Sequence, residues 1–327
     1  MASRIYLILA TTALLILGSL SILSYIAWSW SLELFAHFRF HYLVLSLILT
    51  IILFILWRTR QVKNKILFLA ALLLVGINAI EVIPWYLPNA RQMNVNSDKQ
   101  VRVLSYNMNI KNKSYQEMIN LVQNERPDIA LFIEIDQDIF TKLKTALQPS
   151  LSNGFRSPGG GLAILTRLPM KDAKGESFNG QGGHNLIATL EIDKKPVKFI
   201  GTHPFVPVTQ ANFHRRNRQL EALNNYVQKL DQPLILAGDF NLTPWSPYYH
   251  RFVNKTKLHN TRLGFGILPS WPRPASYVNL PNWLLPLINI PIDHCFVNQH
   301  FSVARTYIGT NANSDHASLI ADLVLRQ

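Results

Sequence analysis

Long apolar runs dominate the first quarter of the chain, whereas the remainder alternates apolar and polar positions at short intervals. Residues 5–32 contain no charged side chain, residues 42–57 are largely apolar, and residues 66–87 are interrupted only by Glu81. A helix needs about 20 apolar residues to cross the hydrocarbon core of a bilayer. The pattern therefore predicts a membrane domain, residues 1–88, with three transmembrane helices. Glu81 is expected to be hydrated near the membrane interface.

The flanks of these runs predict their orientation. Trp28, Trp57 and Trp85 stand at the predicted ends, where aromatic side chains favour the interface. The loop of residues 58–65 carries four basic and no acidic residues, which is typical of a cytoplasmic loop. The third helix then delivers residues 92–327 to the outer side of the cell membrane. A cleaved signal peptide is the alternative for the first run, but two further spans follow it.

The rest of the chain has the pattern of one sheet-rich domain. Residues 89–99 are polar and aperiodic, which predicts a linker before a domain of residues 100–327. Apolar, strand-like runs recur in this domain, and helical periodicity lies between some of them, so the expected class is α/β or α+β. The predicted strands are 101–106, 129–133, 162–166, 187–192, 197–201, 234–237, 295–297 and 319–325, and the predicted helices are 115–124, 138–147 and 212–230.

Composition adds a basic balance without choosing a partner. The chain has 32 Lys and Arg against 19 Asp and Glu, a net charge of +13. Such a surface attracts nucleic acid, anionic lipid headgroups and other phosphorylated ligands alike. The one cysteine, Cys295, excludes an intramolecular disulfide, and its apolar neighbours predict that it is buried in a strand.

Polar clusters follow several of the predicted strands, where a strand end fixes the backbone and a loop exposes the side chain. Each cluster alone is also typical of an ordinary turn or helix cap. Their order along the chain is more informative than any single one. The clusters are Ser105-Tyr106-Asn107, Phe132-Ile133-Glu134, Thr202-His203, Gly238-Asp239-Phe240-Asn241, Ile292-Asp293-His294 and Ser314-Asp315-His316.

In this order, over residues 101–327, the clusters resemble the endonuclease/exonuclease/phosphatase superfamily, which includes DNase I-like nucleases, neutral sphingomyelinases and inositol-polyphosphate phosphatases. The resemblance implies a four-layer αββα sandwich of the DNase I-like type, with two sheets face to face and helices outside. It also implies that the polar clusters converge at one end of the sandwich. The expected activity is metal-dependent hydrolysis of a phosphate mono- or diester.

The resemblance further implies a Mg²⁺ site, for which Mn²⁺ is a possible substitute. Glu134 would be the main ligand, with Asn107 and Asp315 nearby. Hard cations such as Mg²⁺ prefer oxygen ligands of this kind and retain several waters.

Five residues would carry the acid–base chemistry by the same resemblance. Asp239 would orient and deprotonate the attacking water, and Asn241 would hold that water or a phosphate oxygen. His316 would pair with Asp293, which favours the protonated imidazole. His203 would contact the phosphate or assist the leaving group.

The chain departs from the DNase pattern beside His203. DNase I-like nucleases support the corresponding histidine with a glutamate near Gly161, but this chain has Arg156-Ser-Pro-Gly-Gly-Gly161. His203 is therefore expected to be positioned differently. Six residues outside the matched motifs are expected to have surface or capping roles: Asp136, Asp138, His184, His250, His259 and His294. Arg216 is assigned either to the architecture or to a solvated helix face.

The substrate remains open between two classes at this point. A nuclease needs stacking aromatics and a basic groove beside the site, whereas a lipid phosphoesterase needs an apolar surface. Residues 283–291 form an apolar loop that leads into Asp293, which favours a lipid phosphate and contact with the bilayer. The alternative is that this loop packs on the sandwich. A membrane-tethered binding module without activity is a third hypothesis, against which Glu134, Asp239 and His316 are all present.

Overall fold

The apolar runs form long helices in the computed structural model, which describes residues 2–63, 65–89, 92, 100–178, 180 and 184–326. Within these residues, three helices are long and apolar enough to cross a membrane, at Arg4–Leu23, Arg39–Arg58 and Lys65–Tyr86. The helices of this region are α1 (Ala2–Leu23), α2 (Trp30–Ala36), α3 (Arg39–Arg58) and α4 (Lys65–Val82), and α4 continues as a 3₁₀ turn (Ile83–Tyr86). Most of the predicted linker, residues 89–99, lies outside the described residues.

The first apolar run is divided, contrary to the single span of residues 5–32 that its hydrophobicity predicts. Helix α1 ends at Leu23, and Ser29 begins the separate helix α2 by accepting a hydrogen bond from the Leu32 N–H. The buried Glu33 lies on α2. A charge in the hydrocarbon core is costly. The Glu33 carboxylate therefore favours packing of α2 against protein over a continuation of α1 through lipid.

The remainder folds into two packed sheets, as the four-layer expectation requires. Among the described residues each sheet has six strands. The strands are β1 (Gln100–Asn107), β2 (Ile129–Ile133), β3 (Asn153–Arg156), β4 (Leu162–Thr166), β5 (Met170–Glu176), β6 (Asn185–Ile192), β7 (Lys195–Thr202), β8 (Leu234–Asp239), β9 (His259–Asn260), β10 (Asp293–Val297), β11 (Phe301–Ile308) and β12 (Leu319–Leu325). The first sheet has the order β11-β12-β1-β2-β4-β3 and the second has the order β5-β6-β7-β8-β10-β9.

Burial explains why the central strands are apolar throughout. Side chains of both sheets, such as Leu131 and Phe199, interdigitate between them. The opposite face of the first sheet is covered by α5 (Tyr115–Glu125) and α6 (Gln137–Leu147). The opposite face of the second sheet is covered by α7 (Gln210–Val227) and α8 (Pro247–Thr256). A strand that is buried on both faces loses the period-two alternation of a half-exposed strand, so the αββα expectation is confirmed.

The apolar N-terminal helices directly contact the two-sheet part of the chain, which is the catalytic domain. Val82 and Trp85 belong to the same apolar cluster as α7 and α8. Trp245 Nε1 donates to the Glu81 carbonyl at 3.1 Å, and the Gly264 N–H donates to the Trp85 carbonyl at 3.0 Å. The catalytic domain therefore lies at the end of the helix bundle that carries α2, opposite the basic loop of residues 58–65.

Candidate active site

The motif residues meet at one end of the two sheets. The neighbouring strands β1 and β2 are parallel, as are β7 and β8, so their carboxyl ends point the same way. Strand β10 runs antiparallel to β8 with Asp293 opposite Asp239. Seven predicted site residues are contributed by these ends and by the turn before β12: Asn107, Glu134, His203, Asp239, Asp293, Asp315 and His316.

Asn107 joins two of the predicted acidic residues. Its Nδ2 lies 3.1 Å from Glu134 Oε1 and 3.1 Å from Asp239 Oδ2. Its Oδ1 accepts a hydrogen bond from the Asn109 N–H at 3.0 Å. Glu134 has φ +60°, a left-handed conformation that costs energy in a non-glycine residue. The fold thus holds the Glu134 carboxylate, which is 30% exposed, beside the buried Asp239.

A buried relay links Asp293, His316 and Asp239. His316 Nδ1 lies 2.9 Å from Asp293 Oδ2, and His316 Nε2 lies 3.7 Å from Asp239 Oδ2. Burial opposes the charged imidazole, but Asp293 and Asp239 outweigh it and raise the pKa of His316 to about 10. Burial also raises the pKa of Asp239 to about 6, with a further contribution from Asp293. Burial opposes the ionisation of Asp293 as well, but the His316 imidazolium lowers its pKa overall.

His203 faces the same two carboxylates from β7. Its Nε2 lies 3.7 Å from both Glu134 Oε1 and Asp239 Oδ2. Thr202, directly before His203, packs against Gly238 of β8. A Cβ at Gly238 would lie 1.9 Å from the Thr202 carbonyl oxygen, so glycine allows the two strand ends to approach. His184 lies where side chains at Gly159 and Gly160 would otherwise be. The glycines thus accommodate a further histidine at the cleft.

Asn241 is held with its amide directed to the neighbouring loop. Its backbone N–H donates to Asp239 Oδ1 at 2.9 Å, and its Nδ2 donates to the Pro204 carbonyl at 2.9 Å. The residue has φ +51°. In this geometry Asn241 orients Asp239 and the loop that begins at Pro204.

Asp315 is fixed by three side-chain donors. Asn109 Nδ2 and Tyr277 Oη lie 2.9 and 3.1 Å from its Oδ1, and Trp271 Nε1 lies 3.0 Å from its Oδ2. Trp271 and Tyr277 belong to the long connection between β9 and β10. These three donors restrain the carboxylate at the cleft without neutralising its charge.

The donor atoms at the cleft suit a divalent cation. Glu134, Asp239 and Asp315 supply carboxylate oxygens, the ligands that Mg²⁺ prefers. Asn107 directs its Nδ2 rather than its amide oxygen at Glu134 and Asp239, so here it orients carboxylates. Asp239, Asp293 and His316 also have ligand atoms within 4.8 Å of one another. In that trio, however, the hydrogen bond to Asp293 and the raised pKa keep the imidazole protonated, and an imidazolium cannot be a ligand. The partly exposed Glu134 is therefore the better anchor.

A cleft of about 660 Å³ opens over these groups. One wall is the loop Pro204 to Val208, of which Phe205, Val206 and Val208 are exposed. Trp271, Ile290 and Ile292 also line it. Helix α2 and the residues directly after it contribute a further part, comprising Leu34, His37 and Phe38.

Residues 94–316 match the model of the endonuclease/exonuclease/phosphatase family. The chain belongs to this family. The activities in the family's description all cleave phosphate esters, and its members generally depend on a divalent metal. A comparison with curated protein sequences finds no match.

Solved structures share the fold at low sequence identity. A mannosyl-6-phosphatase of Bacteroides thetaiotaomicron is 19% identical, with 69% of this chain and 100% of that chain covered and a TM-score of 0.54. Sphingomyelinase C of Streptomyces griseocarneus is 14% identical, with coverages of 68% and 99% and a TM-score of 0.53. TDP2 of D. rerio, in complex with a single-stranded DNA product, is 14% identical, with coverages of 69% and 99% and a TM-score of 0.56.

Some residues outside the matched motifs behave differently from the sequence-based expectation. His294 is fully buried between Asn260 and the Leu242 carbonyl rather than on the surface. His184 lines the cleft. Glu81 lies 3.5 Å from His250, so a protein contact partly replaces the expected hydration. The capping role of Asp136 is confirmed, because it accepts a hydrogen bond from the Ile139 N–H.

Proposed function

We propose that the protein hydrolyses the phosphate ester of a membrane lipid at the outer face of the cell membrane. The composition of the cleft carries this proposal. Predicted catalytic groups lie in a cleft whose walls are the exposed apolar loop 204–208 and residues of the membrane domain. A lipid in the adjoining bilayer could reach such a cleft with its phosphate at the carboxylates and its apolar part along the loop.

In the proposed mechanism, Asp239 removes the proton from the attacking water, a task suited to a carboxylate whose pKa is raised to about 6. The protonated His316, oriented by Asp293, stabilises negative charge on the phosphoryl group. His203 binds the phosphate or assists the leaving group. Mg²⁺ or Mn²⁺, held by Glu134 with Asp315, would supply charge neutralisation at the phosphoryl oxygens.

A nuclease is the competing function within the same family. Nucleic-acid grooves contact successive phosphates through Lys and Arg. Among the described residues, no Lys or Arg lines the cleft. This absence favours a substrate with one phosphate group and an apolar body over an extended polyanion. An inactive binding module is disfavoured because Glu134, Asp239 and His316 occupy one site.

The test uses the purified full-length protein in lipid nanodiscs. Release of product is measured from phosphatidic acid, a polyprenyl phosphate, an inositol phosphate and single-stranded DNA. We expect turnover of a lipid phosphate, its loss with EDTA and its recovery with Mg²⁺ or Mn²⁺. Preferred cleavage of DNA would instead support the nuclease.

Asp239→Asn tests the mechanism separately. The exchange keeps the shape of the side chain, so the melting temperature should be close to that of the unmodified protein. The rate should fall by about 10²- to 10⁴-fold, the usual contribution of a general base. Activity that resists EDTA, or an Asp239→Asn protein as active as the unmodified one, would contradict the mechanism.

A further inference from the structure

Helix α2 of the membrane domain is anchored on the catalytic domain by a buried ion pair. Glu33 pairs with Arg216 of α7, and both side chains are completely buried. The Glu33 carboxylate also accepts a hydrogen bond from Ser246 Oγ at 2.7 Å. Because an uncompensated buried charge is strongly destabilising, this pair favours one docked arrangement of α2. Of the two assignments made for Arg216, its burial agrees with the architectural one and contradicts the solvated helix face.

His37, directly after α2, lines the catalytic cleft and is 6% exposed. Its Nδ1 lies 3.4 Å from the Thr243 backbone nitrogen and 3.1 Å from Thr243 Oγ1. A backbone N–H only donates, so Nδ1 is the acceptor and carries no proton. The proton of the neutral ring is therefore on Nε2.

The neutral form prevails at physiological pH. Burial lowers the pKa of His37 to about 4, although Glu33 acts in the opposite direction. Among the residues that the structure describes, Thr243 is the hydrogen-bonding partner of the ring, and it engages Nδ1. The Nε2–H group is thus a neutral donor with no hydrogen-bonding partner among the described residues, on a side chain that lines the cleft.

We propose that His37 is a substrate-binding residue that donates its Nε2–H to a phosphoryl oxygen, so that the membrane domain completes the active site. The inference rests on the proposed phosphoesterase function and adds a residue outside the region that matches the family model. Thr243 holds the ring and follows Asn241 closely in sequence, which couples the position of His37 to the loop after β8.

Two near-isosteric substitutions separate binding from structure. In His37→Gln, the amide oxygen can accept from Thr243 and the amide nitrogen can donate to the substrate. In His37→Met, the thioether is a weak acceptor and has no donor. Ser31→Ala, at an exposed position of α2, is the matched control. Full-length proteins in detergent are assayed with a short-chain phosphatidic acid, and their melting temperatures and folded fractions are measured.

For His37→Met we expect KM to rise about 10- to 100-fold, as for loss of a hydrogen bond to a charged group. Its kcat should change less than about threefold. His37→Gln should recover KM to within about threefold of the unmodified protein, and Ser31→Ala should match it. If His37→Met is less stable, kcat and KM are compared per folded molecule below its melting temperature.

The alternative outcomes are distinguishable. Suppose that the unmodified protein hydrolyses the lipid and that His37→Met has the same KM. This result overturns the role of His37 and leaves the proposed function intact. A failure of His37→Gln to recover KM also contradicts hydrogen-bond donation. An unmodified protein without activity on any phosphate ester overturns both proposals together.

Discussion

Three ionisable side chains form one buried relay at the site: Asp239, His316 and Asp293. Two negative charges enclose one imidazole, which explains why the pKa of His316 rises to about 10 although burial alone would lower it. The same burial raises the pKa of Asp239 to about 6. Neutral pH therefore favours an ionised base together with a protonated imidazole, the combination that the proposed mechanism needs.

This arrangement predicts a bell-shaped dependence of kcat/KM on pH. Activity should rise as Asp239 loses its proton near pH 6 and fall as His316 loses its proton near pH 10. Asp293→Asn removes the main charge that raises the pKa of His316, so the alkaline limb should move to lower pH. Initial rates from pH 5 to 10.5 test this, and an unmoved alkaline limb would exclude His316 as its origin.

Sequence and structure agree best for residues with distinctive chemistry next to a strand. The order of motifs such as Asp293-His294 and Asp315-His316 carried the family resemblance, and that resemblance implied which side chains converge. Trp271 and His37 were missed for different reasons. Trp271 lies in a long connection without periodicity. His37 lies in the loop that the sequence predicts between the first two spans, far from every matched motif.

At the scale of elements, α2 is joined to α7 through Glu33 and Arg216. Glu33→Gln should destabilise the full-length protein by about 3–5 kcal/mol, because Arg216 remains buried without a charged partner. Glu33→Leu combined with Arg216→Met should cost less than Glu33→Gln, since no buried charge is left. Chemical unfolding in detergent measures both. A single variant as stable as the unmodified protein would argue against the docked arrangement.

The loop of residues 283–291 leaves some of its apolar side chains exposed and buries others. Trp283 is 71% exposed and Leu287 is 59% exposed, whereas Leu285 is 1% exposed and belongs to the core. The Leu287 backbone is within hydrogen-bonding reach of His41 at the start of α3, which brings the exposed side chains close to the expected membrane surface.

Two sets of substitutions test this division. Trp283→Ser with Leu287→Ser should reduce turnover of a lipid in nanodiscs while sparing stability and the hydrolysis of a small soluble phosphodiester. Leu285→Ala should instead destabilise the protein by about 2–5 kcal/mol, as loss of a buried leucine does. Equal loss of both activities in the double variant would indicate packing rather than membrane contact.

Helices and strands were predicted most accurately where one face or both faces of the element are buried and apolar. Helices α5 and α6 were predicted to within one residue at each end, because their apolar faces repeat clearly. Strand β5 was missed because Met170-Lys-Asp-Ala-Lys-Gly-Glu176 is polar and partly exposed at a sheet edge. Helix α8 was missed too. It begins with Ser246 as its cap and Pro247 in its first turn, but its Tyr, His and Arg residues obscure the apolar face.

For the whole molecule, the family resemblance implied a four-layer sandwich and the apolar runs predicted three helices, but neither predicted how the two parts meet. Their contact depends on residues far apart in the chain, such as Glu33 with Arg216 and Trp85 with Gly264. No local pattern encodes such pairs. The contact has a topological consequence, because it places the catalytic domain opposite the basic loop 58–65. One measured orientation therefore fixes the side of the membrane for both.

Cysteine labelling can determine that orientation, because the native Cys295 is buried and should give little background. Three exposed positions suit this test: Lys63 in the basic loop, Trp28 beside α2 and Gln123 on α5. With the loop in the cytoplasm, a membrane-impermeant maleimide should label Trp28→Cys and Gln123→Cys in cells whose outer face is accessible to it. Lys63→Cys should react only after permeabilisation. The reverse pattern would place the active site in the cytoplasm. Labelling of Trp28→Cys and Gln123→Cys from opposite sides would contradict the docking of α2 on the catalytic domain.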